Sequence, residues 1–211
     1  MAIATKLKIL ESSIRLFNEN GLANVRLQQI ADETGISVGN LAYHFKNKDA
    51  IVSFVYESLF DELGAILSGY MGNPDFTDFD QQIGQYFSFF HKYHFYLIDL
   101  FEIDRSFPEI RTQWQNHVTK MHLQIRSRID FYQQKGLLVT EPHEGIFDLL
   151  TNNLWMSIVF WIPQQVLKGQ MVAPHYFKEA VWSQLLPYLT PKGLDAYFTL
   201  IHPILRDLDN N

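Results

Sequence analysis

Between Leu27 and Lys48 the chain reads LQQIADETGISVGNLAYHFKNK, in which a glycine separates two short helical patterns. Apolar side chains recur at helical spacing from Leu27 to Thr34, so a helix with one buried face is predicted there. Gly35 follows where a tight turn requires a positive φ angle, which glycine adopts without strain. The second segment is therefore expected to leave the turn in a new direction.

The second helical segment spans residues 38–45, and Ser37 is predicted to cap its N-terminus. A helix, a glycine-containing turn and a second short helix are the parts of a helix-turn-helix, whose second helix enters the major groove of DNA. Because many helical proteins contain such a corner, the spacing alone is a weak indication of DNA binding.

Helical patterns continue on both sides of this run. The upstream helix is predicted from apolar side chains that are three and four residues apart: Ile3, Leu7, Leu10, Ile14 and Phe17. Asn20 and Gly21 predict its end. Downstream, Asn47 is predicted to cap a helix over residues 49 to about 70.

The rest of the chain divides into helical stretches, because no alternating period persists that would predict a sheet. An all-α protein is therefore predicted. Pro163 and Pro203 lie inside helical patterns and predict kinks or breaks, since each removes a backbone donor. The predicted helices of this part are 78–95, 97–105, 108–134, 143–167, 175–189 and 191–207.

The composition excludes several classes of protein. Of 211 residues, 47% are hydrophobic and 19% are charged, which excludes a disordered or collagen-like chain, and the absence of Cys excludes disulfides and thiolate metal sites. No apolar run approaches the roughly 18 residues of a membrane span, and charge interrupts the N-terminus too early for a signal peptide. A cytoplasmic protein without membrane contact is expected.

The formal charge of -6 hides an asymmetry along the chain. Residues 1–55 hold six basic and five acidic side chains, whereas the remainder holds 11 basic and 18 acidic ones. Of the 31 aromatic residues, 28 follow residue 50. Because DNA repels a uniformly acidic surface, the near-neutral N-terminal part is the one suited to approach it. Two domains are predicted, 1–50 and 51–211.

The individual residues of the N-terminal part carry a family resemblance. They are Ile9, residues 12–17, Gly21, Leu27, Ile30-Ala31, Gly35-Ile36-Ser37, Gly39-Asn40-Leu41, His44-Phe45 and Lys46-Asn47-Lys48. This set resembles the N-terminal domain of the TetR family of transcriptional regulators over about residues 6–55, a quarter of the chain. The resemblance implies a three-helix helix-turn-helix DNA-binding domain, followed by a larger helical ligand-binding and dimerisation domain.

Contacts to DNA bases are expected from the start and the outer face of the third helix. The candidates there are Val38, Gly39, Asn40 and Tyr43, and Gln28 reaches in from the second helix. Asn and Gln can bond adenine bidentately, and a valine can touch a thymine methyl group.

Contacts to DNA phosphates are expected from four side chains around the third helix: Ser37, His44, Lys46 and Lys48. Lys48 lies at the start of the next helix, beside free backbone donors that also attract anions. For Lys46 and Lys48 the alternative is a solvated loop.

Two positions depart from the family pattern. Ala42 stands where the family usually has a Tyr that packs on the DNA backbone, and the neighbouring Tyr43 could take over that contact. Arg26 stands where a Thr usually caps the second helix, so loss of that cap is expected to cost about 1 kcal/mol. Arg26 could bind a phosphate instead.

The resemblance also implies a homodimer that binds a pseudo-palindrome in double-stranded DNA, because one recognition helix reads few bases. The candidate dimer interface consists of apolar positions on the last long helices: Leu154, Ile158, Trp161, Val181, Leu185 and Leu189. For each of them, filling the monomer core is the alternative.

A small-molecule effector that changes the affinity for DNA is implied as well. The aromatic middle helices can line a pocket for an apolar or aromatic effector, with Phe90, Trp114 and Trp155 as the candidate contacts. For any one of these residues, a place in the core is the alternative.

No catalytic residue, cofactor or metal site is predicted. The sequence lacks the motifs H-E-x-x-H and G-x-S-x-G and a phosphate-binding loop. The prediction is a ligand-responsive transcriptional regulator, a repressor in most members of the family, and the sequence leaves an activator open. The alternative is a helical small-molecule-binding or enzymatic protein whose N-terminal helices have only a structural role.

Overall fold

The structure of the chain, a computed structural model, describes residues 2–69, 74–98, 103 and 105–209. Across these residues it contains helices and no strand, so the predicted all-α fold is confirmed. None of the described helices is long and apolar enough to span a membrane. The helices are α1 (Ala2–Asn20), α2 (Leu27–Thr34), α3 (Val38–His44), α4 (Lys48–Ser68), α5 (Phe76–Lys92), α6 (Phe95–Ile98), α7 (Pro108–Gln134), α8 (Ile146–Leu167), α9 (Pro174–Leu185), α10 (Pro191–Leu200) and α11 (His202–Asp209), with a 3-10 turn at Leu186–Tyr188.

The predicted turn and caps of the N-terminal helices are confirmed. Gly35 has a φ angle of 74° at the end of α2. The Ser37 hydroxyl accepts a hydrogen bond from the Asn40 backbone N–H at 3.1 Å, and the Asn47 side chain accepts one from the Ala50 N–H at 3.0 Å. Local side-chain chemistry therefore sets the bounds of α2, α3 and α4, while residue 70, the predicted end of α4, lies outside the described residues.

Two predicted helices differ from the observed ones at the junction of α5 and α6. The predicted 78–95 helix ends at Lys92, and α6 begins at Phe95, two residues before the predicted start. Residues 99–102 and 104 of the predicted 97–105 helix lie outside the described residues. The early end of α5 has a tertiary cause, because a side chain of α1 binds this junction.

The prolines act differently in the C-terminal helices. The predicted 191–207 helix is broken at Ile201, because Pro203 lacks the N–H that would continue the backbone ladder. The predicted 175–189 helix ends as an α-helix at Leu185, and the 3-10 turn that follows contains Pro187. Pro163, by contrast, lies inside an unbroken α8.

The chain forms two compact units, residues 1–63 with 92–115 and residues 64–91 with 116–211. In the first unit, Leu10, Ile14 and Phe17 of α1 are buried, as predicted. Ile3 and Leu7 were predicted on the same buried stripe but are 78% and 50% exposed. At 19 residues α1 is roughly 28 Å long, whereas α2 and α3 have 8 and 7 residues and cover only part of it.

Asn18 of α1 fixes the turn between α5 and α6 within the first unit. Its Nδ2 donates to the Lys92 carbonyl oxygen at 2.9 Å, and its Oδ1 accepts from the Phe95 N–H at 2.9 Å. The neighbouring Phe17 ring packs on the Phe95 ring with centroids 5.6 Å apart. One amide side chain thus holds both backbone ends of the turn, which explains why α5 ends before its apolar pattern does.

A buried ion pair lies in the core of the second unit. Lys178 Nζ donates to Asp80 Oδ2 at 2.6 Å, and Trp182 Nε1 donates to Asp80 Oδ1 at 3.1 Å. The rings of Phe76 and Phe79 pack edge-on against Trp182. Because both carboxylate oxygens have a donor, the charge of Asp80 is compensated inside an aromatic core.

Gly193 of α10 lies where any side chain is expected to lower the stability of the fold. The Thr190 hydroxyl accepts from the Gly193 N–H at 3.1 Å, and the Thr190 N–H donates to the Leu137 carbonyl oxygen at 3.0 Å, so the start of α10 lies against residue 137. A Cβ at this position would overlap the Leu137 carbonyl oxygen and lie 3.0 Å from its carbonyl carbon. We expect Gly193→Ala to lower the free energy of unfolding by about 1–3 kcal/mol, measured by urea denaturation.

Gly84→Ala is the matched control, because its Cβ would meet only ordinary van der Waals contacts with the Lys178 side chain. It lies inside α5, so alanine should leave the free energy of unfolding unchanged or raise it by about 0.5–1 kcal/mol. Equal destabilisation by both substitutions would contradict the steric argument.

Candidate nucleic-acid interface

The third helix α3 is fixed from inside and presents its outer face to solvent. Leu41 and the residue that ends the helix, Phe45, are buried in the small core of the first unit. Val38 and Asn40 are exposed, and Tyr43 is 84% exposed. An exposed aromatic side chain beside an exposed amide, on a helix anchored by its opposite face, is the arrangement that reads base edges in a groove.

The predicted base-reading residues Val38, Asn40 and Tyr43 are thus exposed on α3, and so is Gly39. The absence of a side chain at Gly39 lets a nucleic acid approach the first turn of α3 closely. Gln28 on α2 is exposed as well, but its Nε2 donates to Asp32 Oδ1 at 2.7 Å.

Arg26 behaves differently from a capping residue, as its departure from the family pattern predicts. Its side chain makes no capping hydrogen bond, because a guanidinium has no acceptor atom. Instead the Gln29 side chain accepts from the Arg26 backbone N–H at 2.8 Å, so the start of α2 keeps one side-chain bond. The exposed Arg26 side chain remains a candidate phosphate ligand.

The small side chain of Ala42 is exposed next to Tyr43. The Tyr43 ring lies edge-on to the His44 ring, with centroids 5.2 Å apart. Because Tyr43 is 84% exposed, it stays the candidate aromatic residue of the interface.

Lys48 joins the start of α4 to the turn after α1. Its Nζ donates to the carbonyl oxygens of Leu22 at 2.5 Å and Ala23 at 3.3 Å. These bonds hold the ammonium group of Lys48 at the turn after α1. Lys48 therefore has a structural role that the sequence pattern did not predict, in addition to the predicted phosphate contact.

Other charges of the first unit differ in their surroundings. Arg15 is paired with Glu33, with Nη2 and Oε1 2.9 Å apart. The neighbouring carboxylate cancels most of its electrostatic attraction for DNA. Lys46 and Ser37 are exposed around α3. Lys6, which was not predicted as a site residue, lies with its Nζ 5.6 Å from the centroid of the Phe45 ring. The sequence pattern of α1 does not predict this contact between Lys6 and Phe45.

The candidate effector residues are not brought together by the structure. Phe90 is fully buried in the second unit and packs on the Phe89 ring. Trp155 is half-buried in the same unit with its ring 5.0 Å from that of His122, and burial lowers the pKa of His122. Trp114 belongs to the first unit, where it packs on Tyr96. An effector contact by these three residues stays a prediction.

The candidate dimer residues are buried within the single chain. All six, Leu154, Ile158, Trp161, Val181, Leu185 and Leu189, lie in the core of the second unit. Their apolar spacing is thus explained by the monomer core, which was the alternative. The same helices α8 and α9 expose other apolar side chains, among them Leu149, Met156 and Tyr176.

Comparison with known families agrees with this geometry. Residues 9–53 match the family described as bacterial regulatory proteins, tetR family, and residues 59–197 match the one described as bacterial transcriptional repressor TetR. The chain belongs to the TetR family. The two matches cover the helix-turn-helix and most of the helical remainder of the chain.

Individual relatives are similar over different lengths. The uncharacterised HTH-type transcriptional regulator YerO of Bacillus subtilis is 32% identical over 145 residues, which are 67% of this chain and 48% of YerO. The chain spans about half the length or less of the curated relatives it matches. The crystal structure of a TetR-family regulator from Marinobacter aquaeolei VT8 is 25% identical with a TM-score of 0.80, and the match covers 92% of this chain and 96% of that one.

A structure of SmeT in complex with triclosan shows the same fold at 16% identity and a TM-score of 0.58. The match covers 89% of this chain and 93% of SmeT.

Two substitutions on the exposed surface separate base reading from phosphate binding. Asn40→Ala keeps the backbone N–H that donates to the capping Ser37 hydroxyl, so we expect the fold to be retained. Discrimination at one base pair should fall by about 1–3 kcal/mol. Lys46→Ala should weaken binding to all sequences and reduce the slope of log affinity against log salt by about one.

Fluorescence anisotropy on duplexes with single base changes, at several salt concentrations, measures both quantities. Equal losses by both variants on every sequence would contradict the division of roles between Asn40 and Lys46.

Proposed function

We propose that this TetR-family chain is a ligand-responsive transcriptional repressor that binds a pseudo-palindromic operator as a homodimer. The observation that carries the proposal is the outer face of α3, where Asn40 and Tyr43 are exposed on a helix whose inner residues are buried. Residues 1–50 bind DNA in this proposal, and residues 51–211 bind the effector and the second subunit. The protein then acts in the cytoplasm, where its operator is.

The dimer face is proposed on the exposed side of α8. Leu149, Met156 and Leu167 are exposed on this helix. Asn153 and Phe160 continue the pattern from Leu149 at spacings of three and four residues, and Leu167 follows seven residues after Phe160. Such a stripe lies on one side of a helix and can pack against its copy across a two-fold axis. This set replaces the six residues predicted from the sequence, whose area is already buried in the monomer.

The solvent side of α9 extends the proposed dimer face. Tyr176, Ala180 and Ser183 follow one another on the solvent side of this helix, with Tyr176 and Ser183 exposed. The Gln184 side chain donates to the Ser157 hydroxyl of α8, which holds the two helices side by side. The small side chains of Ala180 and Ser183 allow close approach of a second pair of helices.

The effector is proposed to be small and apolar or aromatic. Triclosan, an aromatic compound, is bound by SmeT, which has the same fold. In this chain the second unit is rich in aromatic residues, which can surround such a ligand once a pocket opens. If DNA and effector favour different arrangements of the subunits, each weakens the binding of the other by the same factor.

Selection of duplexes from a random DNA pool by the purified chain tests the proposed function. We expect enrichment of a pseudo-palindrome with half-sites about one helical turn apart, at near-physiological salt. Enrichment of no motif by a folded dimer would overturn operator binding by the free protein. Enrichment of a single half-site would overturn the two-fold arrangement.

A substitution on α8 tests the dimer face. Met156→Glu places a charge in the proposed apolar interface, so we expect a shift from dimer to monomer in sedimentation equilibrium. Leu200→Glu is the matched control, because Leu200 is similarly exposed but lies on α10. Dissociation of both variants, or of neither, would contradict the proposed face.

A further inference from the structure

A hydrogen bond on the outer surface of α2 joins a predicted base-reading residue to a carboxylate. Gln28 Nε2 donates to Asp32 Oδ1 at 2.7 Å, and both residues are exposed. Because they are four positions apart, their side chains lie one above the other on the same face of the helix. The amide of Gln28 therefore approaches DNA with a carboxylate beside it.

The backbone beneath this pair is held at both ends of α2. At the start, the Gln29 side chain accepts from the Arg26 N–H at 2.8 Å. At the end, the Gly35 N–H donates to the Asp32 carbonyl oxygen at 3.0 Å, in the turn that leads to α3. Since α2 has only eight residues, these bonds fix the Cα positions of Gln28 and Asp32, and side-chain rotation decides how Gln28 meets a base.

The position of Asp32 is electrostatically unfavourable for the helix and for DNA binding. Asp32 lies in the last turn of α2, where the helix dipole disfavours a negative charge, and a carboxylate also repels phosphates. The neighbouring Glu33 is paired with Arg15 of α1 at 2.9 Å, whereas Asp32 is bonded to the neutral amide of Gln28. The stability of α2 therefore does not explain this carboxylate, and its effect on Gln28 is the remaining role.

The carboxylate of Asp32 sets the direction of the Gln28 amide. A carboxylate only accepts hydrogen bonds, so it attracts Nε2 and repels Oε1. Because Nε2 carries two hydrogens, one can stay bonded to Asp32 while the other and Oε1 remain for a base. A glutamine without such a neighbour can turn its amide around and present either group. When DNA covers the pair and excludes water, the charge-assisted bond becomes stronger and the reversed amide becomes more costly.

An amide that is held in one direction can recognise the orientation of a base pair. Every base pair presents one amino group in the major groove, which is N6 of adenine or N4 of cytosine. Reversal of the pair puts a carbonyl oxygen, O4 of thymine or O6 of guanine, in the place of that amino group. The amide oxygen of Gln28 accepts a hydrogen bond from the amino group and is repelled by the carbonyl oxygen.

We propose that Asp32 is a specificity-determining residue that orients the Gln28 amide, so that Oε1 accepts from the amino group of an adenine or a cytosine. Asp32 is a positioning residue, because it acts through Gln28 and needs no contact with the base. This role rests on the proposed function, since it requires Gln28 to lie in the major groove of the operator.

The base pair that Gln28 reads is located with the pseudo-palindrome obtained by the pool selection. It is the pair at which Gln28→Ala removes discrimination, measured by fluorescence anisotropy on duplexes that carry each of the four base pairs. We expect the wild type to bind the preferred pair about tenfold more tightly than the same pair reversed. Discrimination that Gln28→Ala leaves unchanged at every pair would overturn the proposal.

Asp32→Asn removes the direction of the amide while it keeps the shape of the side chain. Asparagine can accept from Nε2 or donate to Oε1, so both directions of the Gln28 amide become available. The preference for one orientation of the pair should fall from about tenfold to about threefold or less. A preference that stays at the wild-type value would overturn the role of Asp32.

Asp49→Asn is the matched control for the change in charge. It removes a carboxylate from the first turn of α4, where Asp49 is exposed, so it should raise the affinity for all duplexes by the same factor. If Asp32→Asn also raised all affinities equally, the carboxylate of Asp32 would act only through its charge. That result would overturn the positioning role.

A base analogue tests the contact of Oε1 with the amino group. Purine in place of adenine, or 2-pyrimidinone in place of cytosine, removes that group from the preferred pair. We expect the wild type to lose affinity about tenfold and Gln28→Ala to lose less than about threefold, because the variant records only the weakened base pairing. Equal losses would overturn the contact. Enrichment of no operator in the selection would overturn the proposed function together with this role, whereas an operator whose recognition is indifferent to Asp32→Asn would overturn this role alone.

Discussion

Burial of Leu41 and Phe45 is the constraint on which the DNA-binding surface depends. The recognition helix α3 has only seven residues, too few to be helical by itself in water. It forms because these two side chains are covered by the core of the first unit and because Ser37 caps its first turn. The same burial turns the opposite face outward, so the residues that can read DNA are exposed by the interaction that makes the helix.

The features that the sequence predicted correctly are the local ones. The positive φ of Gly35 and the caps by Ser37 and Asn47 involve residues no more than three positions from their partners, so a short window of sequence contains all of the chemistry. The family resemblance added the roles of the outer residues of α3. Exposure of Asn40 and Tyr43 agrees with those roles, while contact with DNA stays a prediction.

The features that the sequence did not predict join residues far apart in the chain. Asn18 bonds to residues 74 and 77 positions away, and Lys178 bonds to Asp80 across 98 positions. The residue pattern of a short stretch of sequence does not identify a partner so far along the chain. Periodicity also shows which face of a helix is apolar without showing what covers it. For this reason Ile3 was predicted to lie in the core, and the dimer residues were predicted on the buried sides of α8 and α9 and at Leu189.

The two ends of α4 are held by different chemistry. At the start, the Lys48 ammonium binds two backbone carbonyl groups, and at the end, neutral amides of Gln82 and Gln124 bind the last-turn carbonyls. An ammonium bond to a carbonyl group is charge-assisted and about twice as strong as a bond from a neutral amide, so losing the Lys48 bonds should cost more than losing those of Gln82 or Gln124. The start of α4 is therefore held more firmly by side chains than its end is.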